Sequence, residues 1–220
     1  MNHHIVKIYW HRWSDKITDE WIASRIAFCK AYTLKSLQAQ SFKDFSLWFC
    51  CDPGMEEAME PLRDVPGVFT FGEHYSQASS PKPQASDFIY VTRVDSDDLY
   101  RHDALEIFSR QPPSQSDGPE ALMFQRGYLY DIETKRIGVY FKHSSPFHCV
   151  MWPTNMFLDP EQYRSHYCGD HSKVKGFYRT RMLDPWKICV LTHGGNYSSS
   201  FESLSQGYVC GFPFDMREFM

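Results

Sequence analysis

At 220 residues and 42% apolar content, the chain is long enough to bury a full core and is read as one domain over 1–220. Net charge is −4 and the pI is near 6.2, with no basic stripe, which excludes nucleic acid as the main partner. The longest apolar run, around Phe45 to Cys51, is too short to span a bilayer, Met1-Asn2-His3-His4 lacks a signal-peptide core, and seven cysteines without a Cys-x-x-Cys pair suit reduced thiols in a cytoplasmic protein.

Ile5-Val6-Lys7-Ile8-Tyr9-Trp10 reads as a first strand, with His11-Arg12-Trp13-Ser14-Asp15 as the loop at its carboxyl end. Ligands of open α/β sheets sit outside the carboxyl ends of strands, so Tyr9, His11 and Arg12 are candidates for a nucleoside or its phosphates. A solvated loop arginine is the equal alternative for Arg12. Asp19 and Glu20 open a helix, acids at the positive end of its dipole. The spacing of Ala23, Ile26, Ala27, Ala31, Leu34 and Leu37 predicts one apolar face running to Gln40, with Arg25 off that face.

Asp44 to Cys51 reads as a second buried strand, delivering Asp52-Pro53-Gly54. Asp52 either starts a turn or reads a nucleotide base there. Met55 to Leu62 suits a short helix and Val68–Phe71 a third strand. Gly72 to Ser86, rich in Ser, Pro and Gln, is read as a long surface loop.

Phe88-Ile89-Tyr90-Val91-Thr92-Arg93-Val94 has the continuous apolar and β-branched texture of a strand buried on both faces. It stops in Asp95-Ser96-Asp97-Asp98, three carboxylates in four positions. Acids at i and i+2 on extended backbone point the same way, so Asp95 and Asp97 can hold one hard cation, Mg²⁺ or Mn²⁺. The same residues also suit a turn and a helix cap. A calcium loop does not fit, because Leu99 and Tyr100 stand where that loop needs a ligand and a glycine.

A helix is expected from about Asp103 to Arg110, and a loop from Gln111 to Pro119. Gly127–Tyr130 and Arg136–Phe141 predict an antiparallel hairpin, and Phe147 to Met151 a further strand with His148 as a packed histidine. Gly169-Asp170-His171-Ser172 precedes a helical pattern reaching about Met182, where Asp170 is either an N-cap or a chemical group. Lys187 to Thr192 reads as a last core strand delivering His193-Gly194-Gly195-Asn196 to the same edge, with His193 a further metal-ligand type. After Ser198 the tail, with Phe201, Tyr208, Phe212 and Phe214, is expected to pack as irregular chain.

Three passages together resemble a GT-A glycosyltransferase. The chain is most similar to the bacterial and viral rhamnosyltransferase group, near the large glycosyltransferase-2-like family of inverting enzymes. The first passage is Arg25-Ile26-Ala27-Phe28 through Ser36-Leu37-Gln38-Ala39-Gln40 to Asp52. The second is Thr92-Arg93-Val94-Asp95-Ser96-Asp97-Asp98, similar to the Asp-x-Asp metal motif. The third is Gly169-Asp170-His171, placed like the acidic pair that opens the acceptor-side helix, followed by His193-Gly194-Gly195-Asn196.

The resemblance implies an α/β, GT-A (nucleotide-diphospho-sugar transferase) fold with a mainly parallel mixed sheet. It implies transfer from a nucleotide sugar, rhamnose by family name, to a carbohydrate or lipid-linked glycan acceptor; the cytoplasmic protein could also lie peripherally at the inner face of the membrane. Tyr9, His11, Arg12, Arg25, Asp52, Arg93 and Asp95 would bind the donor, and Asp95, Asp97 and His193 the Mn²⁺ or Mg²⁺. Asp170 would be the base. The chain departs from the pattern at Gly169, which replaces the first acid of that pair. A metal-dependent nucleotidyltransferase or phosphohydrolase, or an inactive nucleotide- or carbohydrate-binding module, could use the same residues.

Overall fold

The strands, in chain order, are β1 (His3–Trp10), β2 (Phe45–Cys51), β3 (Val68–Phe71), β4 (Phe88–Val94), β5 (Asp98–Tyr100), β6 (Glu120–Met123), β7 (Arg126–Asp131), β8 (Ile137–Phe141), β9 (His148–Pro153), β10 (Arg179–Met182), β11 (Ile188–Thr192) and β12 (Ser205–Tyr208), and the long apolar runs supply the central ones. The structure is a computed structural model and describes residues 3–11, 17–78, 86–114, 117–194, 196, 200–208 and 214–220. The larger sheet has seven strands in the order β10-β6-β9-β4-β1-β2-β3, all parallel except β9. A five-stranded sheet, β12-β8-β7-β11-β5, lies beside it. The fold is therefore α/β, with a mostly parallel central sheet flanked by helices.

Both faces of the central strands are covered, as their unbroken apolar sequence demands. Val6, Ile8, Tyr90 and Phe49 point to one side, against Ile22, Ile26 and Cys29 of helix α1 (Asp19–Ala31) and Leu34 and Leu37 of α2 (Thr33–Gln38). Ile5, Trp48, Ile89 and Val91 point to the other, where Phe157 and Tyr163 lie. Short helices complete the chain: α3 (Tyr75–Ala78), α4 (Ala104–Ser109), α5 (Thr154–Leu158), α6 (Pro160–His166), α7 (Val174–Phe177) and α8 (Phe201–Leu204). No helix among the described residues is long and apolar enough to cross a membrane.

Several expectations change. The first helix breaks at Tyr32, whose φ of −125° and ψ of −68° leave the helical region. Its buried face is Ile22, Ile26 and Cys29, while Ala23, Ala27 and Ala31 are exposed, because the larger side chains bury more area. The helix expected from Ser172 to Met182 is a 3₁₀ turn (His171–Lys173) and α7, after which the chain extends into β10. The strand at 188–192 belongs to the smaller sheet, between β7 and β5. The tail forms α8 and β12, and Phe201 is buried. Phe212 lies outside the described residues.

A short turn joins the two sheets. β4 ends at Val94 in the larger sheet, and β5 begins at Asp98 in the smaller one, paired with β11 through Asp98↔Val190 and Leu99↔Cys189. The Asp98 backbone N–H donates to the Asp95 carbonyl at 3.2 Å, closing the turn between them.

Candidate active site

β1 lies between β2 and β4, so the chain leaves it to one side and returns on the other. Such a switch point opens a crevice at the carboxyl ends of the strands. A cleft of about 290 Å³ lies there, bordered by Tyr9, His11, Arg93, the acid turn and Asn196.

At the β1–β2 side, the Asp52 backbone N–H donates to the Trp10 carbonyl at 3.0 Å, continuing the parallel ladder by one residue. This sets the Asp52 carboxylate 2.8 Å from His11 Nδ1, which donates to it. The His11 ring stacks on Tyr9 with centroids 5.2 Å apart. Three of the expected nucleoside residues thus meet; Arg12 lies outside the described residues.

On the β4 side the acids are already neutralised. Arg93 Nη2 is 2.8 Å from Asp95 Oδ1, while Arg93 Nη1 is buried and makes no hydrogen bond among the described residues. Arg25, though off the apolar stripe of its helix, is not a surface arginine. Its guanidinium grips both oxygens of Asp97, with Nη2–Oδ1 at 2.8 Å, and reaches Ser96 Oγ at 3.1 Å. Asn196 donates to Asp97 Oδ2 at 3.0 Å, and His193 Nε2 lies 3.6 Å from the same oxygen. Burial pushes the Asp97 carboxyl upward, but the nearby His193 imidazole and the Arg25 guanidinium outweigh it and hold it below the usual range. Asp98 goes the other way. Burial, then the charges of Asp97 and Asp95, raise it well above an ordinary carboxylate.

Asp95 and Asp97 border the cleft, whereas His193 stands beside Asp97 without bordering it. However, no group of three His, Cys, Asp or Glu side chains among the described residues converges as a ligand set. Two carboxylates and an imidazole suit a divalent ion chemically, on condition that Arg25 releases Asp97. The His193 ring is held by Phe28, stacked at 4.1 Å. Gly194 turns its backbone N–H to Glu133 Oε1 at 2.9 Å, so that glycine serves the turn; Gly195 lies outside the described residues.

Asp170 caps the 3₁₀ turn, accepting from the Ser172 backbone N–H at 2.9 Å, with Lys173 Nζ 3.6 Å away. The Ser172 contacts hold its carboxyl below the usual range. Its side chain is 47% exposed and is not among the residues bordering the cleft. The next residue, His171, borders this cleft and also a second one of about 270 Å³ on the far side of Arg93. Burial, then the Arg93 charge, lowers the His171 pKa, so its ring is neutral at pH 7.

The reading from sequence missed His171 and Asn196, although both stand in passages it singled out. It also gave no role to Ser36 and Gln40. Ser36 Oγ donates to the Tyr100 carbonyl at 2.7 Å and accepts from the Tyr100 N–H at 2.9 Å. Gln40 Nε2 donates to the Arg101 carbonyl at 2.9 Å, and its Oε1 accepts from the Leu105 N–H at 3.1 Å. These side chains fasten α2 to the strand after the acid turn.

No family model and no curated protein matches the chain. Among solved structures, TarS of S. aureus is similar over 87% of this chain and 37% of its own, at 13% identity and a TM-score of 0.47. The glycosyltransferase GlyE of Streptococcus pneumoniae TIGR4 is similar over 82% of this chain and 45% of its own, at 9% identity and a TM-score of 0.38. A candidate nucleotide-diphospho-sugar transferase from Desulfovibrio desulfuricans G20 gives 93% and 92%, at 12% identity and a TM-score of 0.38. The chain spans less than half the length of the first two. Likenesses this distant concern shape and leave the chemistry to the chain's own residues.

Proposed function

We propose that the chain is a GT-A-type glycosyltransferase that moves a sugar, rhamnose by its family resemblance, from a nucleotide-diphosphate donor to an acceptor hydroxyl with inversion. The observation that carries this reading is the meeting of the His11–Asp52 pair, the Arg93–Asp95 pair and the acid turn at the sheet's switch point. Asp52 and His11 offer hydrogen-bonding edges for the nucleoside, and Tyr9, stacked on the His11 ring, braces that pair. Arg93, with one buried nitrogen uncommitted, offers a charged donor to the diphosphate.

The residues that would hold Mn²⁺ or Mg²⁺ are Asp95, Asp97 and His193, and the bound ion would supply neutralisation of the departing diphosphate. Arg25 and the ion compete for one carboxylate. Asp170 is the proposed base, ionised at neutral pH. The position of His171, neutral and bordering both clefts, favours a second reading in which the imidazole takes the acceptor proton. The acceptor is a carbohydrate or lipid-linked glycan.

Thermal shift with nucleoside diphosphates and nucleotide sugars, rhamnose donors among them, with and without Mn²⁺, tests the reading. A ligand at 100 times its Kd stabilises the native state by about 2.7 kcal/mol, a readable rise in Tm. One nucleoside diphosphate should produce that rise, and Asp52→Ala should remove most of it. A flat response to every nucleotide rejects the transferase. Turnover releasing pyrophosphate instead of a nucleoside diphosphate reassigns the chain to nucleotidyl transfer.

A further inference from the structure

The second cleft holds a feature that donor binding does not use. Lys7 stands in the middle of β1, and its side chain is 4% exposed. Its ammonium lies over the rings of Trp48 at 3.9 Å, Tyr9 at 4.3 Å and Tyr167 at 4.8 Å. It donates to the Tyr163 hydroxyl at 3.2 Å, and the Cys50 thiol is its other polar neighbour. None of the ion pairs among the described residues includes it. A buried charge without a counter-ion is costly, and burial lowers this lysine to about 8.

The cavity that Lys7 borders, about 270 Å³, is of the size of one pyranose ring with room for water. Five aromatic residues, Tyr9, Trp152, Tyr163, Tyr167 and Tyr178, line it. No acidic side chain among the described residues borders it. The charge inside can be counted. Arg93 is balanced by Asp95. His148 is held at about 3 by burial, and His171 is lowered by burial, so both rings are neutral at pH 7. His11, the remaining basic group on the wall, is paired with the Asp52 carboxylate, so among the described residues that border the cavity Lys7 is the cation with no acidic partner. Tyr9, His11, Arg93 and His171 border both clefts, so a ring here lies beside the place where a donor sugar would emerge.

We infer that this cavity is the acceptor subsite and that it takes a sugar bearing a single carboxylate, a uronic acid, whose charge is met by Lys7 and whose ring lies against the aromatic walls. The monoanion comes from the charge count: a carboxylate neutralises the site, whereas a phosphate monoester dianion would leave an excess negative charge in a buried place. The role of acceptor rests on the transferase reading, but the binding of the uronic acid does not.

Ligand-observed NMR and calorimetry with methyl glucuronide, methyl glucoside and glucose 6-phosphate decide it, on the wild type and on Lys7→Met and Lys7→Gln. The uronide should bind more tightly than the neutral glucoside by about tenfold or more, the scale of one charge-assisted hydrogen bond. The phosphate should bind less tightly than the uronide. Either variant should abolish the preference while the glucoside still binds. Equal binding of uronide and glucoside by the wild type overturns the inference even if neither variant folds. So does a preference that survives the loss of Lys7, or a preference for the phosphate. Nucleoside diphosphate is titrated into the same samples: nucleotide binding without uronide preference sinks this inference alone, and uronide preference without nucleotide binding sinks the transferase reading alone.

Discussion

The Arg25 and Asp97 side chains are 13% and 10% exposed, so neither charge can rely on water if the other is removed. Arg25→Ala should therefore cost about 3–5 kcal/mol, the usual penalty of stranding one member of a buried pair. Adding Asp97→Asn should recover part of that loss, since the pair is coupled. If a divalent ion can take the place of the guanidinium, Mn²⁺ will raise the Tm of Arg25→Ala and leave that of the double variant unchanged. No Mn²⁺ response in either would remove Asp97 from the proposed ligand set. The base is decided by a second pair of variants. Asp170→Asn keeps a cap acceptor for Ser172, so folding and nucleotide affinity should persist while turnover falls by about 10²-fold or more. Full activity there, with a dead His171→Gln enzyme, moves the role to the imidazole. The acids themselves were legible, because three carboxylates after an apolar strand announce a strand end. The partner of Asp97 was not. Arg25 precedes Asp97 by 72 positions, and only the packing of α1 on the sheet brings them together.

At the scale of elements, the Ser-Leu-x-x-Gln passage is a fastening. Ser36→Ala leaves the buried Tyr100 N–H without its acceptor, and Gln40→Ala does the same to the Leu105 N–H. Each should cost about 1–3 kcal/mol by chemical denaturation. Because β5 continues directly from the acid turn, nucleotide affinity should weaken along with stability. Unchanged affinity in a destabilised variant would show that the clamp serves the fold alone. The apolar strands, β1 to β4, β7 to β9 and β11, were legible to within a residue or two, since apolar runs of that length have one way to be buried, whereas the short polar β5, β10 and β12 were not. The helices were less so. The break at Tyr32 has no proline or glycine to announce it, and small alanines imitated an apolar face. Helices α5 and α6 were missed, although Asp159-Pro160 marks the start of α6: Asp159 accepts from the Glu161 and Gln162 N–H groups, and proline holds the first position.

For the molecule as a whole, pH is the sharpest probe. His4 and His148 are 1% and 7% exposed, and burial holds each at about 3, against 6.5 for an ordinary histidine. The unfolded chain binds their protons from about pH 6.5 downward, and the folded chain does not until about 3. Their contribution is complete above 6.5 and is lost as pH falls through that window, each by up to about 1.4 kcal/mol per pH unit. Asp98 acts in the opposite sense. Raised in the fold, it contributes below the ordinary carboxylate value and loses that contribution as pH rises through its folded value. Denaturation midpoints measured from pH 7 to 4 should fall, and should fall less steeply in His148→Gln. A midpoint independent of pH over that range would mean that the histidines are not buried neutral. The split into two sheets was not legible in the sequence. Nothing local in Lys187–Thr192 says that its neighbours are β5 and β7; the partner of Val190 is Asp98, on a strand three residues long.

The passage from β4 to β5 gives the acid turn a mechanical meaning. Three residues carry the chain from one sheet to the other, which makes Asp95-Ser96-Asp97 a hinge leaf with a sheet bolted to each side. α1 belongs to the first sheet's cover and Asn196 comes after the second sheet's β11, yet both hold Asp97. The carboxylate is thus a rivet through the joint. Anything that grips or frees it also tightens or loosens the hinge, so amide exchange at Leu99 and Val190 should slow when nucleotide binds and quicken in Arg25→Ala.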